Sequence, residues 1–191
     1  MAPMNPLARF EMFVLTPAES EAVRTEFVQI LNGSVLSKTE SVADVIKSHK
    51  KVACIYFWIL RHEQAQYKIY IGKTNSLSYR LLNYISEFQP HSPNDYKLRI
   101  FHAFIMELVP TAALDLYFAN VDISVITQAE TAAIGKYNPL LNNLPSPTPD
   151  ARDSLKKAFA LYYESAFEQR LVNVAQPTVE AGGSSLGGSA A

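Results

Sequence analysis

The sequence is poor in cysteine, with Cys54 as the only one among 191 residues. One cysteine cannot close an intramolecular disulfide, and this usage is typical of a reducing compartment. Cys54 lies in an apolar run, so we expect a buried core residue. No apolar run approaches the roughly 18 residues that a membrane span needs. Arg9 and Glu11 interrupt the layout of a signal peptide. We therefore expect a cytoplasmic protein that does not enter membranes.

The chain also has no excess of positive charge, since its formal net charge is −1. Residues 1–48 carry −2, residues 49–145 carry +2 and residues 146–191 carry −1. Phosphate contacts dominate non-specific affinity for nucleic acids, so we expect any DNA binding to be weak or local. A second copy of the chain or a partner protein would then supply further DNA affinity. No zinc finger or helix-turn-helix pattern is present to add specificity.

Two apolar segments on either side of a polar break predict a hairpin in the middle of the chain. Residues 52–60 are apolar at every position, which predicts a strand buried on both faces. A second strand is predicted over residues 66–71, stopping at Gly72. Pairing across the five-residue loop 61–65 would set Tyr56 directly opposite Tyr70. The two phenols are therefore expected on one face of the hairpin.

The hairpin is followed at once by a predicted helix. Gly72 lets the backbone turn sharply or approach a ligand, and Asn75 is a candidate N-cap. Arg80 and Tyr84 are four residues apart and so share a helix face. Lys73 and its neighbour Thr74 alone would be ordinary turn residues. The pattern predicts a guanidinium and a third phenol near the end of the hairpin.

A later helix carries an acidic residue inside an apolar stripe. Asp122 is a candidate cap, and Pro139 is expected to end the helix. Glu130 interrupts the stripe, whose apolar members are Ile126, Ala133, Ile134 and Tyr137. A carboxylate is rarely buried without a partner. Taken alone, Glu130 is therefore either the ion-pair partner of an arginine or a residue at the stripe's solvent margin. A role as metal ligand depends on the tyrosine and arginine residues described above.

The remaining segments predict extensions around one domain. Residues 1–48 read as a helical N-terminal extension: a helix capped by Thr16 runs through Leu31 to a stop at Gly33, and a second helix covers residues 39–48. Residues 98–109 are predicted as a third strand, whereas residues 111–117 are ambiguous. Residues 146–175 hold a C-terminal helix, and residues 176–191 are rich in glycine and serine, which predicts a flexible tail. The fold class is α/β of the α+β type, with a mainly antiparallel three-stranded sheet flanked by helices in residues 49–145.

Residues 50–145 resemble the GIY-YIG nuclease domain family. The resemblance depends on an ordered set of residues rather than on any one tripeptide. The set comprises Ile55-Tyr56, Tyr70-Ile71-Gly72, Arg80, Tyr84, Glu130 and Asn142. The pattern is most similar to stand-alone GIY-YIG endonucleases and to the nuclease domain of bacterial excision-repair incision subunits. Cys54 stands in place of the first glycine of the pattern, and the gap between the two strands is slightly longer than usual.

The resemblance implies a metal-dependent DNA endonuclease that hydrolyses phosphodiester bonds. It implies that Glu130 binds one Mg²⁺ or Mn²⁺ and that Arg80 clamps the scissile phosphate. Tyr56 is the expected general base, with Lys73 as the alternative. Tyr70 and Tyr84 would order the water and the phosphate, and Gly72 and Asn142 would support the site. A second interpretation is a catalytically weak or inactive module of the same fold that binds nucleic acid or serves assembly, with the tyrosines simply packing in the core. A third is a purely structural interaction protein, against which the complete set of Tyr56, Tyr70, Arg80, Glu130 and Asn142 argues.

Overall fold

The structure, a computed structural model, describes residues 7–34, 40–85, 97–98, 101–102, 105 and 109–144. The helices are α1 (Pro17–Glu26), α2 (Glu40–Ser48), α3 (Leu77–Ile85) and α4 (Ile126–Tyr137), with short 3₁₀ helices at Ala8–Phe13 and Leu141–Asn143. The strands are β1 (Val28–Ser34), β2 (Cys54–His62), β3 (Ala65–Thr74) and β4 (Ala113–Asn120). The predicted C-terminal helix and tail lie outside the described residues. No helix in the described part of the chain combines the length and apolar character needed to cross a bilayer.

The strands form one antiparallel sheet in the order β1-β4-β2-β3. The sheet therefore has four strands, and the expectation of three is wrong. The additional strand is β1, in residues that we expected to be helical as far as Leu31. The capping box of Thr16 and Glu19 does start α1, as predicted, but the helix ends at Glu26. The pairing of β1 with β4 overrides the helical spacing of apolar residues, because tertiary pairing outweighs a local pattern.

The predicted third strand over residues 98–109 is also wrong. Leu98, Phe101 and Ile105 are helical, and the amide of Val109 donates to the carbonyl of Ile105 at 2.7 Å. Their spacing of three and four residues puts all three on one helix face, where they are buried. A continuous apolar run cannot by itself separate a strand from a buried helix. The strand is instead β4, which includes most of the segment that the sequence left ambiguous.

The hairpin of β2 and β3 closes more tightly than expected. His62 pairs with Ala65 across a two-residue turn, and Glu63 adopts a φ of 52° there. An irregularity between Trp58 and Ile59 then shifts the register. As a result Tyr56 lies opposite Gly72, not opposite Tyr70 as we expected.

Strand β2 is an inner strand between β4 and β3, and its residues from Cys54 to Leu60 are all buried, as predicted. One face of the sheet packs Tyr56, Trp58 and Tyr70 against α2, α3 and the helical residues after it. The opposite face packs the alternate residues, including Ile71, against α1 and α4. Cys54 is fully buried, and burial raises the pKa of its thiol to about 12. The prediction that it is a core residue is confirmed.

Two charged pairs connect the sheet to its surroundings. The buried carboxylate of Asp115 in β4 accepts two hydrogen bonds from Arg61, at 3.0 and 3.2 Å, and one from the amide of Gly33 at 2.8 Å. The buried ammonium of Lys68 in β3 donates to Glu19 of α1 at 2.7 Å. Each charged group therefore has a partner on another element, as burial requires.

Candidate active site

A tight turn joins β3 to α3 at one end of the hairpin. The hydroxyl of Thr74 accepts a hydrogen bond from the amide of Ser76 at 3.1 Å, and the amide of Leu77 donates to the carbonyl of Val52 at 3.0 Å. The hydroxyl of Ser76 accepts from the amide of Tyr79 at 3.4 Å, which is a helix-capping contact. Ser76 therefore caps α3 in place of Asn75, so the predicted cap is off by one residue. The turn brings the first turn of α3 beside the end of β3.

Lys73 and Glu130 form a charged pair that links the hairpin to α4. The ammonium of Lys73 lies 2.8 Å from Oε2 of Glu130 and donates to the hydroxyl of Thr127 at 3.1 Å. The Glu130 side chain is 20% exposed and that of Lys73 is 36% exposed. The acid therefore points towards the hairpin, and its partner is a lysine rather than an arginine. Thr127 was not predicted, although its position three residues before Glu130 places both on one face of the helix.

A cavity of about 480 Å³ opens beside this pair. It is lined by the end of β3, the first turn of α3 and the start of α4. Both charged residues of its lining, Lys73 and Arg80, are basic. Arg80 is held in the first turn of α3 by the hydrogen bond from its amide to the carbonyl of Ser76 at 3.1 Å. The described lining is therefore suited to an anionic ligand.

The phenol of Tyr56 lies across the backbone of Gly72. A Cβ atom at Gly72 would stand 2.5 Å from the Tyr56 hydroxyl oxygen and 2.6 Å from Cζ. Real Cβ atoms essentially never come so close, so the glycine leaves room for the ring. The ring centroids of Tyr56 and Tyr70 are 6.2 Å apart. The two rings share a face of the sheet because Tyr70 lies two residues before Gly72, the residue opposite Tyr56. Both tyrosines are buried.

The sheet separates the two tyrosines from the acidic residue. Tyr56 and Tyr70 belong to the core under α3, whereas Ile71 and the buried face of α4 belong to the opposite core. Alternation along β3 puts Lys73 on the same side as Ile71, where it meets Glu130. A substrate shared by the two groups would therefore have to extend past β3, whose end borders the cavity. Tyr56 lies near this end because its ring crosses Gly72.

The outer edge of β3 is fastened by residues from other parts of the chain. The side chain of Asn142 accepts a hydrogen bond from the amide of Ile71 and donates to its carbonyl, both at 2.8 Å. The carbonyls of Gln66 and Lys68 accept from the amides of Leu15 and Leu140, at 2.7 and 3.0 Å. Asn142 thus attaches the segment after α4 to the strand that carries Tyr70 and Gly72.

Two further predictions concern residues near these elements. Tyr84 lies in the last turn of α3, but its side chain is outside the described part of the structure. Asp122 does not cap α4, which begins at Ile126. Its carboxylate instead accepts hydrogen bonds from the amide and hydroxyl of Ser124, at 2.8 and 2.6 Å, in the turn before the helix. The predicted end of α4 before Pro139 is confirmed, with Asn138 as a left-handed C-cap.

No match was found when the chain was compared with models of protein families, with curated proteins and with solved structures. The likeness to GIY-YIG domains therefore depends on the residues quoted above and on their order.

Proposed function

We propose that this protein is a metal-dependent DNA endonuclease with a GIY-YIG-type active site. The observation that carries the proposal is the cavity at the end of the hairpin. There the basic residues Lys73 and Arg80 come together, and Lys73 also holds Glu130 of α4 at 2.8 Å. Lys73, Arg80 and Glu130 come from three different elements, and Arg80 and Glu130 match the order of the family pattern.

Arg80 and Lys73 are the groups proposed to bind the scissile phosphate. The guanidinium offers a planar fork of donors that fits two phosphate oxygens, and the ammonium offers a compact positive charge. Positive groups aimed at a phosphoryl centre stabilise the charge that develops during hydrolysis. The ammonium of Lys73 contacts Glu130 and Thr127. A phosphate in the cavity would give Lys73 a second anionic partner.

Glu130 is the residue proposed to hold Mg²⁺ or Mn²⁺. Among the described residues, no group of three histidine, cysteine, aspartate or glutamate side chains is arranged to hold a metal ion. A lone carboxylate fits an ion that takes one protein oxygen and completes its shell with water and substrate phosphate. When bound, the ion would polarise the phosphoryl oxygens and stabilise their charge. Release of Lys73 towards the phosphate would leave both carboxylate oxygens of Glu130 available.

Tyr56 remains our proposed general base, with Lys73 as the alternative. The phenol of Tyr56 is buried and lies over Gly72, so it would have to reach the attacking water past β3. Lys73 already lies beside the acid and the cavity. Tyr70 would keep the ring of Tyr56 in place through their contact, and Tyr84 would act from α3. Replacing Tyr56 by Phe and Lys73 by Met separates the two roles, since only the loss of the true base should shift the pH dependence of cleavage.

A second candidate function is DNA binding without cleavage. The observations that favour it are the ion pair of Lys73 with Glu130 and the burial of Tyr56. If the lysine kept the carboxylate when DNA is bound, the cavity could hold a phosphate but could not bind a metal ion. Such a protein would retain DNA and leave it intact.

The deciding experiment is nicking of supercoiled plasmid in Mg²⁺. Glu130→Ala and Arg80→Ala should each lower the nicking rate by at least ~100-fold while the circular-dichroism spectrum stays native. Gln128→Ala, at an exposed position of the same helix, and Arg24→Ala in α1 are the matched controls and should cleave normally. DNA retention without nicking by the wild-type protein would favour the second candidate. Neither binding nor nicking would reject both.

A further inference from the structure

The rim of the cavity carries exposed apolar side chains next to its basic residues. Tyr79 is 57% exposed and Ile123 is 59% exposed, and both line the cavity. Only six large hydrophobic residues of the described part of the chain are exposed in this way, so two of the six meet at one site. A third, Val125, lies in the same loop as Ile123. This clustering distinguishes the rim from the scattered apolar residues that any surface carries.

The combination of an exposed tyrosine and an adjacent arginine fits a nucleotide. Arg80 directly follows Tyr79, and both border the same space. Nucleobases stack on aromatic side chains with little regard to base identity, while basic groups hold the backbone. The cavity volume of about 480 Å³ lies in the range typical of small-molecule sites, about 300–1,000 Å³. It therefore suits one nucleotide rather than the width of a duplex.

We propose that the cavity receives an unpaired nucleotide next to the scissile phosphate, with its base stacked on Tyr79 and against Ile123. Bases in a regular duplex are stacked on each other, so a base reaches such a platform only if it is unpaired or flipped. The preferred substrate class is therefore DNA with a bulge, a flap or a single-stranded end. This inference rests on the proposed nuclease function and names the substrate of the same site.

The test measures the affinity for DNA separately from its cleavage. Three fluorescein-labelled probes are titrated in EDTA at low salt: a blunt duplex, the same duplex with a one-nucleotide bulge, and the bulged strand alone. The wild-type protein should bind the last two more tightly than the first. Tyr79→Ala should lose about 5- to 150-fold in affinity for the bulged and single-stranded probes. Tyr79→Phe should stay within about twofold, because the stacking ring is kept.

Leu82→Ala is the matched control, since Leu82 is a 47% exposed residue of the same helix that is not part of the cavity lining. It should leave all three affinities unchanged. Competition with a nucleoside monophosphate tests whether the site instead takes a free mononucleotide, which offers the same base and phosphate. A free mononucleotide that displaces the bulged probe at micromolar concentration would overturn the assignment to DNA.

The outcomes separate this inference from the proposed function. Nicking in Mg²⁺ together with equal affinity of wild type and Tyr79→Ala for every probe would overturn the stacking site and leave the nuclease proposal standing. A Tyr79-dependent preference for unpaired DNA without nicking would support the stacking site and reject the nuclease. Equal affinity of the wild-type protein for blunt and bulged duplexes would overturn the stacking site in either case.

Discussion

The phenol ring of Tyr56 occupies the space that a side chain at Gly72 would need, with its hydroxyl oxygen 2.5 Å from the ideal Cβ position. The two residues face each other across β2 and β3. The glycine of the Tyr-Ile-Gly sequence is therefore required by a ring on the neighbouring strand. The role of Gly72 is steric, because the absence of a side chain leaves room for the Tyr56 ring above the backbone of β3.

The first prediction follows from this contact. Gly72→Ala should destabilise the protein by about 1–3 kcal/mol, because the methyl group forces the ring or the strand to move. Gly135→Ala is the matched control: a Cβ there meets nothing within 4 Å, and alanine favours a helix by about 0.5–1 kcal/mol. Urea unfolding measures both. In a Tyr56→Leu background Gly72→Ala should cost much less, and an equal cost in both backgrounds would refute the steric account.

The second prediction concerns the attachment of Asn142 to β3. Asn142→Ala leaves the amide and carbonyl of Ile71 without this partner and should cost about 1–3 kcal/mol. Hydrogen exchange of the Ile71 amide should accelerate in the variant. Asn143→Ala is the control, because the side chain of Asn143 bonds to Asn138 and Pro139 instead. Unchanged protection of Ile71 in Asn142→Ala would contradict the observed pairing.

The third prediction concerns the buried carboxylate of Asp115. Arg61→Met removes its charged partner and should destabilise the fold by about 3–5 kcal/mol, since an uncompensated charge stays buried. Adding Asp115→Asn should recover part of this loss. Arg24→Met, which breaks an exposed pair with Glu21, should cost less than about 1 kcal/mol. Thermal unfolding compares the three variants with the wild-type protein, and a double variant less stable than Arg61→Met alone would argue against the charge explanation.

The fourth prediction is a pH dependence at Glu19. Burial raises its pKa, but the hydrogen bonds from Lys68 and from Thr16 outweigh burial and hold the pKa below its ordinary value. The resulting stabilisation is fully present above the ordinary glutamate pKa of about 4.3. It is lost as the pH falls through the lower folded value. Glu19→Gln should therefore weaken the dependence of unfolding free energy on pH below about 4.3. Identical slopes for wild type and variant would disprove the assignment.

Local signals in the sequence predicted several elements correctly. The uninterrupted apolar run of β2 predicted a strand buried on both faces, and the spacing of Thr16 and Glu19 predicted the start of α1. The alternation of side chains between the two faces of β3 could also be predicted from the sequence. Lys73 is three positions from Tyr70, so it must face the other side of the sheet. The resemblance nevertheless led us to expect both residues in one site.

Other features depend on contacts that the sequence does not display. The register of the hairpin depends on the irregularity at Trp58 and Ile59, and a shift of this kind has no local signature. Residues 28–34 have apolar spacing compatible with a helix, but they form a strand because they pair with β4. The pairing of Glu130 with Lys73 likewise depends on how α4 packs against β3.

The fastening of β3 affects how copies of this protein can associate. A strand at the edge of a sheet normally leaves its outward amides and carbonyls available to pair with another chain. Here the carbonyls of Gln66 and Lys68 already accept from the amides of Leu15 and Leu140, and Asn142 pairs with both the amide and the carbonyl of Ile71. A foreign strand would have to displace all three before it could pair along this stretch. Growth of a fibre by strand addition along this stretch of β3 is therefore hindered by contacts within the chain itself.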